Sequence, residues 1–134
     1  MRKVLFVCVH NSGRSQMAKA FFNELAEGKA VADSAGTQPA DDVNPVVIQA
    51  MKEVGIDISE SKPQALTFEM TEEAERMITM GCGADASAVC PASFIETEDW
   101  ELDDPHDASI EQVRRIRDEV KRRVEELIRE MDLK

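Results

Sequence analysis

No stretch of this sequence stays apolar for the roughly 20 residues that a membrane-crossing helix needs. The apolar runs are only a few residues long, and Met1-Arg2-Lys3 leads straight into a strand-like pattern, so neither a membrane span nor a signal peptide is expected. Cysteine is scarce: three thiols are too few, and odd in number, for the disulfide framework of a small secreted domain. They read as thiols of a reducing, cytoplasmic compartment. Basic residues are outnumbered, 16 Lys and Arg against 27 Asp and Glu, for a formal net charge of −11. That balance argues against nucleic acid or an anionic membrane as partner, since either would be repelled. It also disfavours anionic substrates at long range. Any anion site has to be local, made of backbone N–H groups and one or two placed cations.

What is present suits a single domain over residues 1–134, with 43% apolar residues to fill a core of ordinary proportions. Val4-Leu5-Phe6-Val7 is a continuous apolar run, the pattern of a central strand buried on both faces of a parallel sheet. After a polar loop, Arg14 to Glu27 carries Met17, Phe21 and Leu25 at helical spacing, with Gly28 as the stop. Ala30–Gly36 reads as a second strand. Asn44-Pro45 opens a helix that closes at Gly55. Residues 64–74 read as loop and short helix, and strands are expected at Arg76–Met80 and near Ser93–Ile95. From Ser109, which forms a capping box with Gln112, one apolar stripe runs through Ile110, Val113, Ile116, Val120, Val124, Leu127, Ile128 and Met131. It predicts a long helix lying on the sheet, its charged face in solvent. Alternating strands and helices of this kind predict an α/β fold: a doubly wound, four-stranded parallel sheet flanked by helices.

Cys8-x5-Arg14-Ser15 sits between the buried strand and a helix N-terminus, where such sheets place their ligand crevice and where unpaired N–H groups favour an anion. A thiolate at the start of this loop is stabilised by the positive helix end and becomes a nucleophile. Arg14 offers a planar fork for two oxygens of a tetrahedral oxyanion. Ser15 can donate its hydroxyl to the Cys8 thiolate, while Asn11 and Gly13 tolerate the left-handed backbone that turns successive N–H groups inward. Displacing an oxygen from such an anion also needs a proton donor, and Asp104, ahead of Pro105, is the candidate.

The segments Cys8-Val9-His10-Asn11-Ser12-Gly13-Arg14-Ser15-Gln16-Met17-Ala18, Ser34-Ala35-Gly36 and Asp103-Asp104-Pro105 resemble the low-molecular-weight protein tyrosine phosphatase superfamily. The first and last are most similar to its arsenate reductase branch, of the thioredoxin-coupled type. The resemblance implies a low-molecular-weight phosphatase-like fold, Cys8 as nucleophile, Val9, His10, Asn11, Ser12, Gly13, Arg14 and Ser15 as the anion-binding loop, and Asp104 as general acid. It implies arsenate as substrate and phosphate as competitor, with no cofactor. His10 stands where the family often has glycine, and Lys19 stands where some relatives use a glutamate to bind potassium, so no metal site is carried over.

Reducing arsenate to arsenite needs two electrons, which a second thiol supplies by attacking the Cys8 sulfur and leaving a disulfide; Cys82 and Cys90 offer that thiol and one more to relay the disulfide outward. In this relay Cys82 attacks the Cys8 sulfur, Cys90 takes over the disulfide, and thioredoxin or a similar thiol reductant restores it. On one continuous helix, eight residues would separate the Cys82 and Cys90 Cα atoms by about 12 Å, whereas a disulfide tolerates about 4.4 to 6.8 Å. The relay therefore requires a loop already folded back or a segment that unwinds, and the small residues between them favour unwinding. The alternative is a low-molecular-weight protein tyrosine phosphatase hydrolysing phosphate monoesters. Against it, the chain has no tyrosine, whereas phosphatases of this family usually grip the substrate ring with aromatic walls and carry tyrosines after Asp-Pro. A non-catalytic redox sensor is a third possibility, distinguished by rapid peroxide oxidation of Cys8 without arsenate turnover.

Overall fold

The computed structural model describes residues 2–8, 10–80, 98–100 and 108–131; Val9, Cys82, Cys90, Asp104 and the strand expected near residues 93–95 lie outside them. Five consecutive buried residues, Val4 to Cys8, make β1 (Arg2–Cys8) an inner strand, as its apolar run requires. On one side β2 (Ala30–Gly36) pairs with it from Arg2↔Ala30 to Cys8↔Gly36; on the other, β3 (Arg76–Thr79) pairs from Val4↔Arg76 to Val7↔Thr79. A short β4 (Glu98–Asp99) joins β3, so the sheet is parallel throughout, with order β2-β1-β3-β4.

The helices start where the sequence signals them. The first, α1 (Arg14–Leu25), buries Met17, Phe21 and Phe22. It ends two residues before Glu27, because Glu27 and Gly28 take φ values of 51° and 82°, which a right-handed helix cannot continue. Asn44 caps α2 (Pro45–Lys52), its Oδ1 accepting from Val46 N at 3.0 Å. A short α3 (Phe68–Glu73) precedes β3. The expected capping box opens α4 (Ile110–Glu130), with Ser109 and Gln112 each bonding the other's backbone N–H.

Val4, Phe6 and Cys8 face the larger core, shared with α1, α2 and α4. Phe6 sets its ring edge to Phe22 at 6.1 Å and tilts against Trp100 at 5.6 Å. Fully buried side chains of this size each contribute on the order of 1.5–3 kcal/mol. The apolar stripe of α4 joins the same core as Val4, Phe6 and Ile78 of the sheet, as its periodicity predicts, and the helix packs beside α1 and α2. Leu5, Val7, Ala35 and Met77 form the smaller core on the opposite face, closed by Leu66, Met70 and Ala74 around α3. Helices thus flank both faces, the doubly wound arrangement.

Two ion-pair groups fasten the periphery. Glu53 receives Arg114 at 2.7 Å and Arg117 at 3.0 Å, joining the end of α2 to α4; the Arg114 hydrogen bond, first of all, holds its carboxyl below the usual carboxylate value. Arg2 bonds Glu75 and reaches the Met131 carbonyl at 2.7 Å. No helix among the described residues is long and apolar enough to cross a membrane.

All four strands run in one direction, so their carboxyl ends share an edge. From β1 the chain passes to β2 on one side and then to β3 on the other, which leaves a crevice beyond the carboxyl end of β1. Cys8 is the last residue of β1.

Candidate active site

Cys8 is 2% exposed, and its Sγ lies 2.8 Å from Ser15 Oγ and 3.2 Å from Asn11 N, which donates to it. Strand β1 fixes the sulfur at the sheet edge, and the first turn of α1 brings Ser15 beneath it. Asn11 Nδ2 donates to Ser15 Oγ at 2.7 Å, so the Ser15 hydroxyl can accept that bond and still turn its single proton towards Cys8 Sγ. The sulfur thus lies between two hydrogen-bonding neighbours, Ser15 Oγ and Asn11 N–H.

The carbonyls of the loop are drawn outward. Cys8 O accepts from Thr37 N at 3.2 Å, His10 O from Ala40 N at 2.9 Å and Ser12 O from Asn44 N at 2.9 Å. Gly13 O takes Met17 N at 3.0 Å as the first bond of α1, and Asn11 O takes Gln16 Nε2 at 3.0 Å. In a trans peptide the C=O and the following N–H point opposite ways. Engaging the His10 carbonyl outside thus turns Asn11 N–H inward, as its bond to Sγ shows, and engaging Ser12 O does the same for Gly13 N–H. This gives a chain of net charge −11 a local concavity of positive dipoles.

Asn11 has φ 52°, the left-handed conformation expected of it. Gly13, which tolerates that conformation equally, does not take it. It is the N-cap of α1 with φ −144°, because its carbonyl must begin the helical ladder. As a glycine, this N-cap offers no side chain to the helix start. Arg14 opens α1 and is 5% exposed, so its guanidinium is held in the protein rather than in solvent. His10 is half-buried, with Nδ1 3.2 Å from Gln38 O.

Of the residues singled out in the sequence, Cys8, Asn11, Gly13, Arg14 and Ser15 are thus gathered in one loop, with His10 and Ser12 fastening it to the segment after β2. Val9, Cys82, Cys90 and Asp104 lie outside the described residues. Two residues carry more of the site than the sequence reading assigned them. The helical spacing gives Gln16 no role beyond α1, and Gln64 falls in an expected loop, yet Gln16 Nε2 and Gln64 N both donate to Asn11 Oδ1, at 3.2 and 2.9 Å. A buried glutamine directly beside the loop was the available signal for the first; the second is reached only through the fold. Gln64 Nε2 also bonds Asp33 Oδ1 at 2.9 Å, and Lys19 Nζ lies 3.7 Å from the same oxygen, so Lys19 brings its own cation to this edge of the loop. Among the described residues no three of His, Cys, Asp and Glu converge as a metal-ligand set.

Such an arrangement can bind a tetrahedral oxyanion and present a sulfur nucleophile to its centre. Comparison with known proteins agrees in kind. Residues 3–134 match the family model described as low molecular weight phosphotyrosine protein phosphatase. The glutaredoxin arsenate reductase of Synechocystis sp. is 39% identical over 132 residues, which cover 96% of this chain and 97% of that protein. A solved arsenate reductase in the phosphate binding state superposes with a TM-score of 0.84 at 40% identity, covering 97% of this chain and 98% of the other. The thioredoxin-dependent arsenate reductase of Corynebacterium glutamicum superposes with a TM-score of 0.82 at 35% identity, covering 99% of this chain and 63% of that one.

Proposed function

The chain belongs to the low molecular weight phosphotyrosine protein phosphatase family, and we propose that its reaction is the reduction of arsenate to arsenite, begun by the Cys8 thiolate. The observation that carries this reading is the Cys8 sulfur, held by Ser15 Oγ and Asn11 N at the mouth of the α1 N-terminus. Arsenate rather than a phosphate ester is supported by full-length relatives that are arsenate reductases, by two further thiols in the chain, and by its lack of tyrosine.

In the first step the loop N–H groups and Arg14 bind arsenate. Cys8 Sγ forms a bond to arsenic, and an arsenate hydroxyl, taking a proton from Asp104, departs as water. Arsenic is still pentavalent. In the second step the Cys82 thiolate attacks Cys8 Sγ. The S–S bond forms, the As–S bond breaks, and its electron pair stays on arsenic, which leaves as trivalent arsenite. The two thiols have supplied the two electrons. Cys90 then attacks Cys82 Sγ, and Cys8 leaves as a thiolate into the same two hydrogen bonds that held it before. β3 ends at the edge that carries Cys8, and Cys82 follows Thr79 by three residues, which supports its choice as the second thiol. Thioredoxin or a similar dithiol reductant returns the electrons in a reducing, cytoplasmic setting; the likeness to a thioredoxin-dependent relative supports this choice.

The test is arsenate turnover with thioredoxin, thioredoxin reductase and NADPH, run beside hydrolysis of an aryl phosphate. The expected result is arsenate-dependent NADPH consumption that phosphate inhibits competitively, with phosphate also protecting Cys8 from alkylation. Rapid aryl phosphate hydrolysis with no arsenate turnover would favour the phosphatase alternative. Failure of phosphate to protect Cys8 would remove the loop as the anion site.

A further inference from the structure

We propose that Gln16 is a positioning residue for the Cys8 nucleophile, acting through Asn11 and Ser15. The inference deepens the function proposed above and takes from it only that Cys8 is the reactive thiol.

Gln16 is the third residue of α1 and is 2% exposed, beside the buried apolar Met17 and Ala18. Packing alone would be served there by an apolar side chain. Gln16 instead buries a carboxamide whose Oε1 has no hydrogen-bond partner among the described residues, an uncompensated loss of hydration. Its nitrogen is fully engaged. Nε2 lies 3.0 Å from Asn11 O, 3.2 Å from Asn11 Oδ1 and 3.3 Å from Lys62 O. All three neighbours are oxygens, so the donor end of the amide is set by its surroundings.

What this clamp holds is the residue on which the nucleophile depends. Asn11 sits at φ 52°, a conformation unfavourable for a residue with a Cβ, and it needs outside contacts to persist. Gln16 bonds its main-chain carbonyl, fixing the peptide that follows, and its side-chain oxygen as well. That oxygen also accepts the backbone N–H of Gln64, a donor that could not face the amide nitrogen, so the side chain has one orientation. Nδ2 must then face Ser15 Oγ at 2.7 Å, an arrangement that lets the Ser15 proton point at Cys8 Sγ, 2.8 Å away. The second donor to sulfur, Asn11 N–H at 3.2 Å, belongs to the same clamped residue. Both hydrogen bonds on the thiolate thus trace back to Asn11. The Gln64 side chain is spent on Asp33 and Ser34 O, which leaves Gln16 as the side chain that grips both Asn11 oxygens.

The test is a double-mutant cycle of Gln16→Met and Ser15→Ala in the Cys82→Ser/Cys90→Ser protein, reading the rate of Cys8 alkylation by iodoacetamide. At about pH 6, Gln16→Met should slow alkylation about fivefold, the effect of losing one ordinary hydrogen bond. At about pH 10, where a thiol is ionised without help, the rate should stay within about twofold. In the Ser15→Ala background the same substitution should cost less at about pH 6 than it does beside an intact Ser15, because only the Asn11 N–H donor then remains to be positioned. Unaltered alkylation by Gln16→Met at about pH 6, equal losses at both pH values, or equal losses in both Ser15 backgrounds would overturn the inference. Should Gln16→Met fail to fold, Gln16→Glu keeps the size, removes the donor nitrogen and enters the same cycle. Alkylation requires no arsenate. A protein that follows this pattern but does not turn over arsenate would therefore lose the proposed function and keep the Gln16 role, and arsenate turnover with a flat cycle would do the reverse.

Discussion

Replacing Ser15 by alanine removes one oxygen from a fully buried position and with it the O–H that faces Cys8 Sγ at 2.8 Å. A hydrogen bond to a charged partner contributes about 1.5–3 kcal/mol, which at about 1.4 kcal/mol per decade is a factor of about 10 to 150. The upper end is tempered because Asn11 N–H still reaches the sulfur at 3.2 Å. The donor serves twice, stabilising the thiolate before attack and receiving it when Cys8 departs from the Cys8–Cys82 disulfide. Arsenate kcat/KM should therefore fall about 10- to 100-fold. Inhibition by phosphate should change little, because Arg14 and the loop N–H groups are left in place. Stability should fall too, since Asn11 Nδ2 loses its acceptor at 2.7 Å and a buried unpaired donor costs about 1–3 kcal/mol. The assay is thioredoxin-coupled NADPH oxidation across arsenate and phosphate concentrations, with a thermal melt beside it. Turnover at the wild-type rate would refute the donor role. A loss of phosphate affinity equal to the loss in kcat/KM would show that Ser15 binds the anion instead of serving the sulfur.

Cys8→Ser should abolish arsenate turnover and aryl phosphate hydrolysis alike, whereas Cys82→Ser should stop arsenate turnover and leave slow aryl phosphate hydrolysis; normal arsenate turnover by the second variant would end the relay mechanism. Protein oxidised by one equivalent of arsenate should show a Cys82–Cys90 bridge on peptide mass mapping, with faster hydrogen exchange across residues 83–89. A sole Cys8–Cys82 disulfide with unchanged exchange would take Cys90 out of the reaction. The carboxyls of Glu53, Glu75 and Glu119 are each held below their ordinary value, first by hydrogen bonds from Arg114, Arg2 and Arg122 respectively. The unfolded chain then takes up protons at a higher pH than the folded one, so their contribution to stability is present above about pH 4.3 and is lost as the pH falls through the folded-state values. Melting temperatures should drop between about pH 5 and pH 3, and Glu53→Gln should make the drop shallower; an identical pH slope in the variant would remove Glu53 from the acid response.

Much of the fold is legible in short stretches because its signals are local. Four apolar residues from Val4 mark β1 as buried on both faces, Asn44-Pro45 marks the start of α2, and the stripe from Val113 to Met131 with its capping box marks α4. The end of α1 was less legible. Glu27 reads as a helix former and becomes left-handed only because the chain must turn back towards β2. That Arg114 and Arg117 of α4 both meet Glu53 at the end of α2 is set by the fold, and no periodicity within α4 records it.

By itself the sequence determined the chemistry on offer: a thiol and an arginine spaced by a loop, at a helix N-terminus, in a chain too acidic to attract anions by its overall field. Residue type and local spacing suffice for that, since a loop of five residues between a buried strand and a helix has few ways to close. Only the tertiary structure decided how the loop is held and which way its hydrogen bonds point. Thr37, Ala40 and Asn44 pull its carbonyls outward, and Gln64 fixes Asn11 from 53 positions away. These contacts arise because the parallel sheet returns its strands to one edge, and a hydrogen bond acquires a direction only when every donor and acceptor around it has been placed.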